Sequence, residues 1–225
     1  MKSPLTVALL LSLAFAACQP QQAKEAKQEK ETQTEQVKKE VQTAPANWAA
    51  IDTDEALVAT ALMAAPKESR DSCQVIGYNM AGEFVTFREG TNEFVVLTDN
   101  PQKKGFNAAC YHQSLEPFMA RGRELKAEGK QRAEIFKIRG EEIESGKLKM
   151  GNAGATLHLY YGPNESYNPE TSEVEGANYR YVVYLPFATP ESTGLPIQPV
   201  ASNHPWIMDP GTHRAHIMIT PLQKD

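Results

Sequence analysis

The sequence predicts an α+β domain: a mainly antiparallel sheet of about six strands, a helical insertion of one long or two shorter helices, and a long Pro-rich loop before the last strand. Three observations carry this. Apolar and polar residues alternate over short stretches at 74–80, 83–88, 93–98, 156–161, 179–185 and 215–220, the period of strands that bury one face. Between the third and fourth of these, residues 114–145 switch to the three-to-four spacing of helices. After residue 185, Pro186, Pro190, Pro196, Pro199, Pro205 and Pro210 remove the backbone donors that helix or sheet would need.

Taken in order, Asp52 or Thr53 can cap a first helix whose Leu57, Val58, Ala61 and Leu62 share a face before Pro66 ends it. Turns at Ala81-Gly82 and Gly90-Thr91-Asn92 separate the first three strands, and such short connections predict an antiparallel meander. Asp99-Asn100-Pro101 ends it. Ser114 can cap the next helix, with Leu115, Phe118, Met119 and Leu125 as its stripe; Gly129 breaks or bends it, and Ala133, Phe136, Gly140 and Ile143 continue the pattern. The three late strands follow the turn at residues 151–154, the polar loop 163–178 and the Pro-rich loop.

The chain begins with the marks of export. Lys2, an apolar run from Leu5 to Phe15 and the small Ala16 and Ala17 fit a secretory signal, whose apolar centre spans about 7 to 15 residues. A spanning helix requires roughly 18 or more. Ala14-Phe15-Ala16 fits cleavage that releases a soluble product. The alternative lies one step further on: Phe15-Ala16-Ala17-Cys18 resembles the lipobox of bacterial lipoproteins, with Phe15 where that family usually has Leu. The resemblance implies a signal peptide at 1–18, acyl chains such as palmitate on Cys18 and a membrane anchor. Gln19 after the cysteine implies the outer membrane, facing the periplasm or the cell exterior. Several chains on one residue hold firmly where a single chain gives only marginal binding.

Residues 19–46 read as a disordered tether. Five Lys and five Glu cancel there and only Val37 and Val41 are large and apolar, too little to offset the entropy of ordering. Residues 47–225 are long enough for a single globular domain. The whole chain has 41% hydrophobic and 23% charged residues, and its net charge of -5 offers no basic footprint for nucleic acid. With Cys18 taken by lipid, Cys73 and Cys110 remain. In an oxidising compartment they are either a disulfide or two buried thiols that never meet, since no C-x-x-C pattern surrounds either.

Signatures of chemistry are sparse. There is no G-x-S-x-G elbow and no S-x-x-K motif. Residues 140–147 lack the P-loop spacing and its hydroxyl, and the acidic run Glu141-Glu142-Ile143-Glu144 lacks EF-hand spacing. The Pro-rich loop offers the one gathering of metal-ligating types, His204, Asp209, His213 and His216, although His213 and His216 match no zinc pattern and residues three apart on a strand face opposite ways. His158 reads as a half-exposed strand residue, on the face opposite Leu157 and Leu159.

Phe87-Arg88-Glu89-Gly90-Thr91-Asn92, then Asp99 and Pro101 ahead of Cys110, then His216-Ile217-Met218-Ile219 before Pro221 resemble an uncharacterised family of bacterial secreted proteins. That family usually carries a cysteine on the strand corresponding to residues 94–97, where this chain has none, so the resemblance implies that Cys73 is the partner of Cys110. It also implies that Arg88, Glu89, Asn92 and His216 share a pocket. The expectation from all of this is an envelope lipoprotein with a non-enzymatic binding or structural domain, held to the membrane through its lipid, with an envelope protein or small molecule as partner and no cofactor. A metal-binding protein or metal-assisted hydrolase using Asp209, His213 and His216 is the second expectation.

Overall fold

A computed structural model of the chain describes residues 47–222; the expected signal peptide, the lipidated Cys18 and the tether 19–46 lie outside these residues. Eight strands form one mixed sheet: β2 (Gln74–Tyr78), β3 (Phe84–Arg88), β4 (Phe94–Leu97), β5 (Phe106–His112), β6 (Thr156–Gly162), β8 (Asn178–Tyr184), β9 (Trp206–Met208) and β10 (His216–Ile219), in the spatial order β3-β2-β4-β5-β6-β8-β10-β9. A two-stranded sheet joins β1 (Ala49–Ala50) to β7 (Ser166–Tyr167). The α+β class stands, but the sheet is larger than the six expected strands, and one pair in it is parallel.

The helical insertion is two helices. α2 (Glu116–Ala127) and α3 (Arg132–Glu144) are separated at Gly129, whose φ of 83° lies in the left-handed region that ends helices at low cost for glycine. Ser114 does not cap α2; it lies in a short 3-10 turn, where its hydroxyl meets His112 Nδ1 at 2.8 Å and its N–H donates to the same nitrogen at 3.2 Å. α1 (Asp54–Leu62) begins as expected, with Thr53 Oγ1 accepting from the Ala56 N–H at 3.1 Å. The Pro-rich segment is less irregular than expected: it holds a single helical turn, α4 (Pro190–Thr193), and the strand β9, which pairs with β10.

The antiparallel meander is the main correction. β3 pairs antiparallel with β2, but β4 lies on the other side of β2 and runs parallel to it. To reach that side, the chain after β3 crosses the start of β2. The N–H groups of Thr91 and Asn92 donate to the Ser72 carbonyl at 2.8 and 3.3 Å. At the crossing Gly90 lies so close that a Cβ on it would sit 2.3 Å from the Gln74 nitrogen, nearer than any side chain can approach backbone.

Each face of the sheet has its own cover. On one, Val95, Tyr111, Leu157, Val182 and Met218 are successive cross-strand neighbours and pack with Leu115 and Met119 of the α2 region. On the other, Val75, Val96, Cys110, His158, Tyr181 and Ile219 follow one another in the same way. α1 lies chiefly over the β4 and β5 part of this second row, and Ala61, Ala64 and Ala65 there pack in one apolar cluster with Val75, Val96 and Cys110.

Gly90→Ala should therefore destabilise the domain by about 1 to 3 kcal/mol, the usual cost of forcing atoms into filled space. A urea unfolding midpoint equal to that of the unaltered protein would show that the crossing is looser than described.

Candidate functional site

Where α1 ends, the second face of the sheet comes out from under its cover. A cleft of about 390 Å³ opens there, lined by Met63, Ala64, Ala65 and Pro66 on one side and His158, Tyr179 and Tyr181 on the other, with Lys67 and Arg70 at the rim. Strand alternation explains the aromatic wall: Tyr179 and Tyr181 are two apart on β8, and Tyr181 is directly across from His158 on β6. The His158 and Tyr181 rings meet edge to face at 5.0 Å between centroids, and Tyr179 stacks on Tyr160 at 4.6 Å. These ring contacts fix the wall.

The rim is built by the 3-10 segment Lys67–Ser72. Arg70 folds back over the end of α1: its Nε donates to the Ala65 carbonyl at 3.2 Å, Nη2 donates to the Met63 carbonyl at 3.3 Å, and Nη1 meets Met63 Sδ at 3.1 Å. It thus satisfies carbonyls that the helix end leaves without partners. Among the described residues no carboxylate forms an ion pair with Arg70. Glu173 is close enough to push the Tyr160 and Tyr179 hydroxyls up in pKa while Arg70 pulls them down, although burial is the largest cause for both. Burial also holds His158 below the ordinary histidine range, opposed by its hydrogen bond to the Ala64 carbonyl, so the ring is neutral at pH 7.

The residues expected from the sequence fall elsewhere. Arg88 and Asn92 are used by the chain crossing: Arg88 Nε donates to the Cys73 carbonyl at 3.0 Å and Nη2 to the Arg70 carbonyl, and Asn92 Nδ2 donates to the Ser69 carbonyl at 2.9 Å while its Oδ1 accepts from the Phe94 N–H at 3.0 Å. Glu89, next to Arg88 in the chain, is exposed. His216 is in β10, with β2, β4, β5, β6 and β8 between it and β3, so these four residues do not share a pocket.

Asp209, His213 and His216 do not converge on a point either. The Asp209 carboxylate accepts from Arg214 Nε at 2.8 Å and Nη2 at 2.7 Å, and His216 Nδ1 faces the Arg214 carbonyl at 2.7 Å. His213 is packed against Phe136 and Phe118, at 4.7 and 6.0 Å between ring centres. His204 Nδ1 faces the Pro205 carbonyl at 2.7 Å. Among the described residues no three His, Cys, Asp or Glu side chains form a group that could hold a metal ion. Cys73 and Cys110, by contrast, are brought together as fully buried free thiols.

Sequence reasoning passed over Lys67, Arg70, Tyr179 and Tyr181. The available signal was the alternation of aromatic rings along two late strands, His158 and Tyr160 on one and Tyr179 and Tyr181 on the other, which marks an aromatic face wherever those strands pair in that register. With this geometry in place, comparisons with protein-family models, with curated proteins and with solved structures find no match.

Beneath α3, the opposite side of the sheet holds a buried electrostatic cluster. The Arg139 guanidinium lies 3.8 Å from the Phe118 ring centre and donates from Nη1 to the Phe118 carbonyl at 3.1 Å, while its Nε and His213 Nε2 have no partner. Burial pulls Arg139 down to about 10. Burial, then the charges of Arg139 and Arg214, lower His213, and burial lowers His216.

These histidines favour the neutral form in the folded state, whereas an unfolded chain binds protons as pH falls through the ordinary range near 6.5. The stabilisation from keeping them neutral is complete above that range and fades as pH drops through it. Asp99, pushed up to about 6 by burial, acts in the opposite sense at the lower end of the window from pH 7.5 to 6, and Cys73, brought down to about 7, titrates within it, so the contribution of His213 is read from the difference between its variant and the unaltered protein. The thermal midpoint should fall across that window, and His213→Gln should make the decline shallower. An unchanged slope in the variant would show that His213 does not contribute.

Proposed function

We propose that this chain is an envelope lipoprotein, exported by residues 1–18, anchored through acyl chains on Cys18 to the outer membrane, and carrying beyond the tether 19–46 a non-enzymatic domain that binds a small ligand. The observation that carries the binding role is the row Val75, Val96, Cys110, His158, Tyr181: its first part is core under α1, and its last part lines an open cleft. A cleft of about 390 Å³ falls within the roughly 300 to 1,000 Å³ usual for small-molecule sites. Aromatic rings on one wall accept a flat apolar body, and Lys67 and Arg70 at the rim accept a negative charge. The ligand class that fits is a small aromatic acid.

The membrane assignment is supported by the lipobox-like Phe15-Ala16-Ala17-Cys18; among the described residues no helix is long and apolar enough to cross a membrane.

Two measurements test the two halves of this reading. Calorimetric titration with 4-hydroxybenzoate should show saturable binding that Tyr181→Ala abolishes and Lys67→Gln weakens about tenfold, the worth of one charge-assisted contact of roughly 1.4 kcal/mol. Heat that does not saturate with millimolar ligand would reject this ligand class. Independently, Cys18→Ala should move the protein from the membrane fraction to the soluble one; a variant that stays with the membrane would reject the lipid anchor.

A further inference from the structure

We propose that Cys73 and Cys110 are a dithiol that closes to a disulfide in an oxidising compartment, with Cys73 as the attacking sulfur and Cys110 as the resolving one, and that the bond fixes the segment forming the rim of the cleft. The inference rests on the geometry of the thiols and is independent of what the cleft binds.

The two cysteines come from different parts of the fold. Cys73 ends the 3-10 segment Lys67–Ser72 just before β2, and Cys110 is in β5. β4 lies between those strands, and both side chains enter the same apolar cluster under Ala61, Ala64 and Ala65. Neither sulfur side chain is exposed, at 0% each, and each thiol is close enough to shift the ionisation of the other. The pair does not belong to a larger cluster of metal-ligating side chains among the described residues.

The surroundings are unequal. Cys73 Sγ meets the Ser69 carbonyl at 3.1 Å and Asn92 Nδ2 at 3.8 Å, and the Arg88 guanidinium donates to the Cys73 carbonyl at 3.0 Å. The hydrogen bond from Cys110, then Asn92 and the charge of Arg88, bring the Cys73 thiol down to about 7 against the opposing effect of burial. Cys110 is pushed up by Cys73 and by burial. The Asn92 amide donor beside the Cys73 sulfur thus favours the first thiolate on Cys73, and a lowered thiol pKa favours exchange.

The oxidant is an exogenous disulfide. The Cys73 thiolate attacks one of its sulfurs, a mixed disulfide forms, and a thiolate leaves that takes up the proton lost by Cys73. Cys110 then gives up its proton, attacks the Cys73 sulfur and expels the second thiol. Two cysteine thiols are oxidised to one disulfide, and one exogenous disulfide is reduced to two thiols. Because both sulfurs are buried, exchange requires either a folding chain or a detached 3-10 segment. Once closed, the bond joins that segment to β5, so that Arg70 and Lys67 at the rim are held to the sheet by a covalent link as well as by Arg88 and Asn92.

The full chain, isolated from an oxidising compartment and alkylated with N-ethylmaleimide in denaturant, should give peptides in which Cys73 and Cys110 are cross-linked and unlabelled, both becoming labelled after reduction. Labelling of both without reduction would overturn the disulfide. In vitro, closure of the reduced protein by oxidised glutathione should raise the thermal midpoint by about 5 to 15 °C; no shift in a protein shown by mapping to be closed would overturn the effect on the rim. Roles are separated with single variants: Cys110→Ala should accumulate glutathione on Cys73 at least about tenfold faster than Cys73→Ala accumulates it on Cys110. Equal rates would overturn the assignment, and the peptide map decides the disulfide itself even if neither variant folds.

Discussion

The structure depends on the place where the chain leaves β3, crosses the start of β2 and enters β4. Four hydrogen bonds to three carbonyls hold that crossing: the Ser72 carbonyl accepts from the Thr91 and Asn92 N–H groups, the Cys73 carbonyl accepts from Arg88, and the Ser69 carbonyl accepts from the Asn92 side chain. They supply partners to carbonyls of a short 3-10 segment and of the cysteine that follows it. The crossing fixes β4 parallel to β2, and β4 in turn places β5 where Cys110 can meet Cys73. It also sets the 3-10 segment at the end of α1, and that segment supplies the cleft with Lys67 and Arg70. A meander with β4 beside β3 would have broken all of these relations.

How much of this could be read in the sequence follows from which signals are local. Alternation located most strands because one face of each is buried, and the Thr53 cap, the break at Gly129 and the helical stripes follow from contacts within a few residues. β5 was missed because Phe106-Asn107-Ala108-Ala109-Cys110-Tyr111-His112 is a central strand covered on both faces, so small residues replace the alternation. β9 was missed because Pro205 and Pro210 bracket it, yet Trp206–Met208 fits between them and pairs with β10. The parallel pair was invisible for a different reason. Gly90 reads as a turn glycine, and nothing near it in the chain discloses that the space it vacates belongs to Gln74.

The candidate residues divide in the same way. Arg88 and Asn92 stood out in the sequence because they punctuate a turn, and in the structure they serve backbone carbonyls of the crossing. Asp209, His213 and His216 stood out because they are close in number, but strand geometry and the Arg214 side chain direct them apart: one to an ion pair, one to an aromatic slot, one to a carbonyl. Of the cleft residues His158 reads in the sequence as a half-exposed strand residue, and Lys67, Arg70, Tyr179 and Tyr181 are ordinary surface cations and strand tyrosines until α1 stops short and leaves them uncovered. Coverage of a sheet by a helix is a tertiary quantity, set by the nine residues of α1 against a sheet eight strands wide.

That mismatch in width gives the two faces different physical roles. Leu115 just ahead of α2 and Phe118 and Leu125 within it are buried, and Arg139 Nε and His213 Nε2 are buried without partners, a cost that the apolar packing of this side has to offset. On the other face α1 protects Val75, Val96 and Cys110, and beyond it Tyr179, Tyr181 and His158 are held by ring contacts, by the hydrogen bond that the Tyr179 hydroxyl donates to the Met63 carbonyl at 3.3 Å and by that of His158 to the Ala64 carbonyl. The two cysteines lie at the boundary between the protected part and the open part. A covalent link there would stiffen the rim without adding anything to the aromatic wall, so that the shape of the cleft and its chemistry are determined by separate parts of the chain.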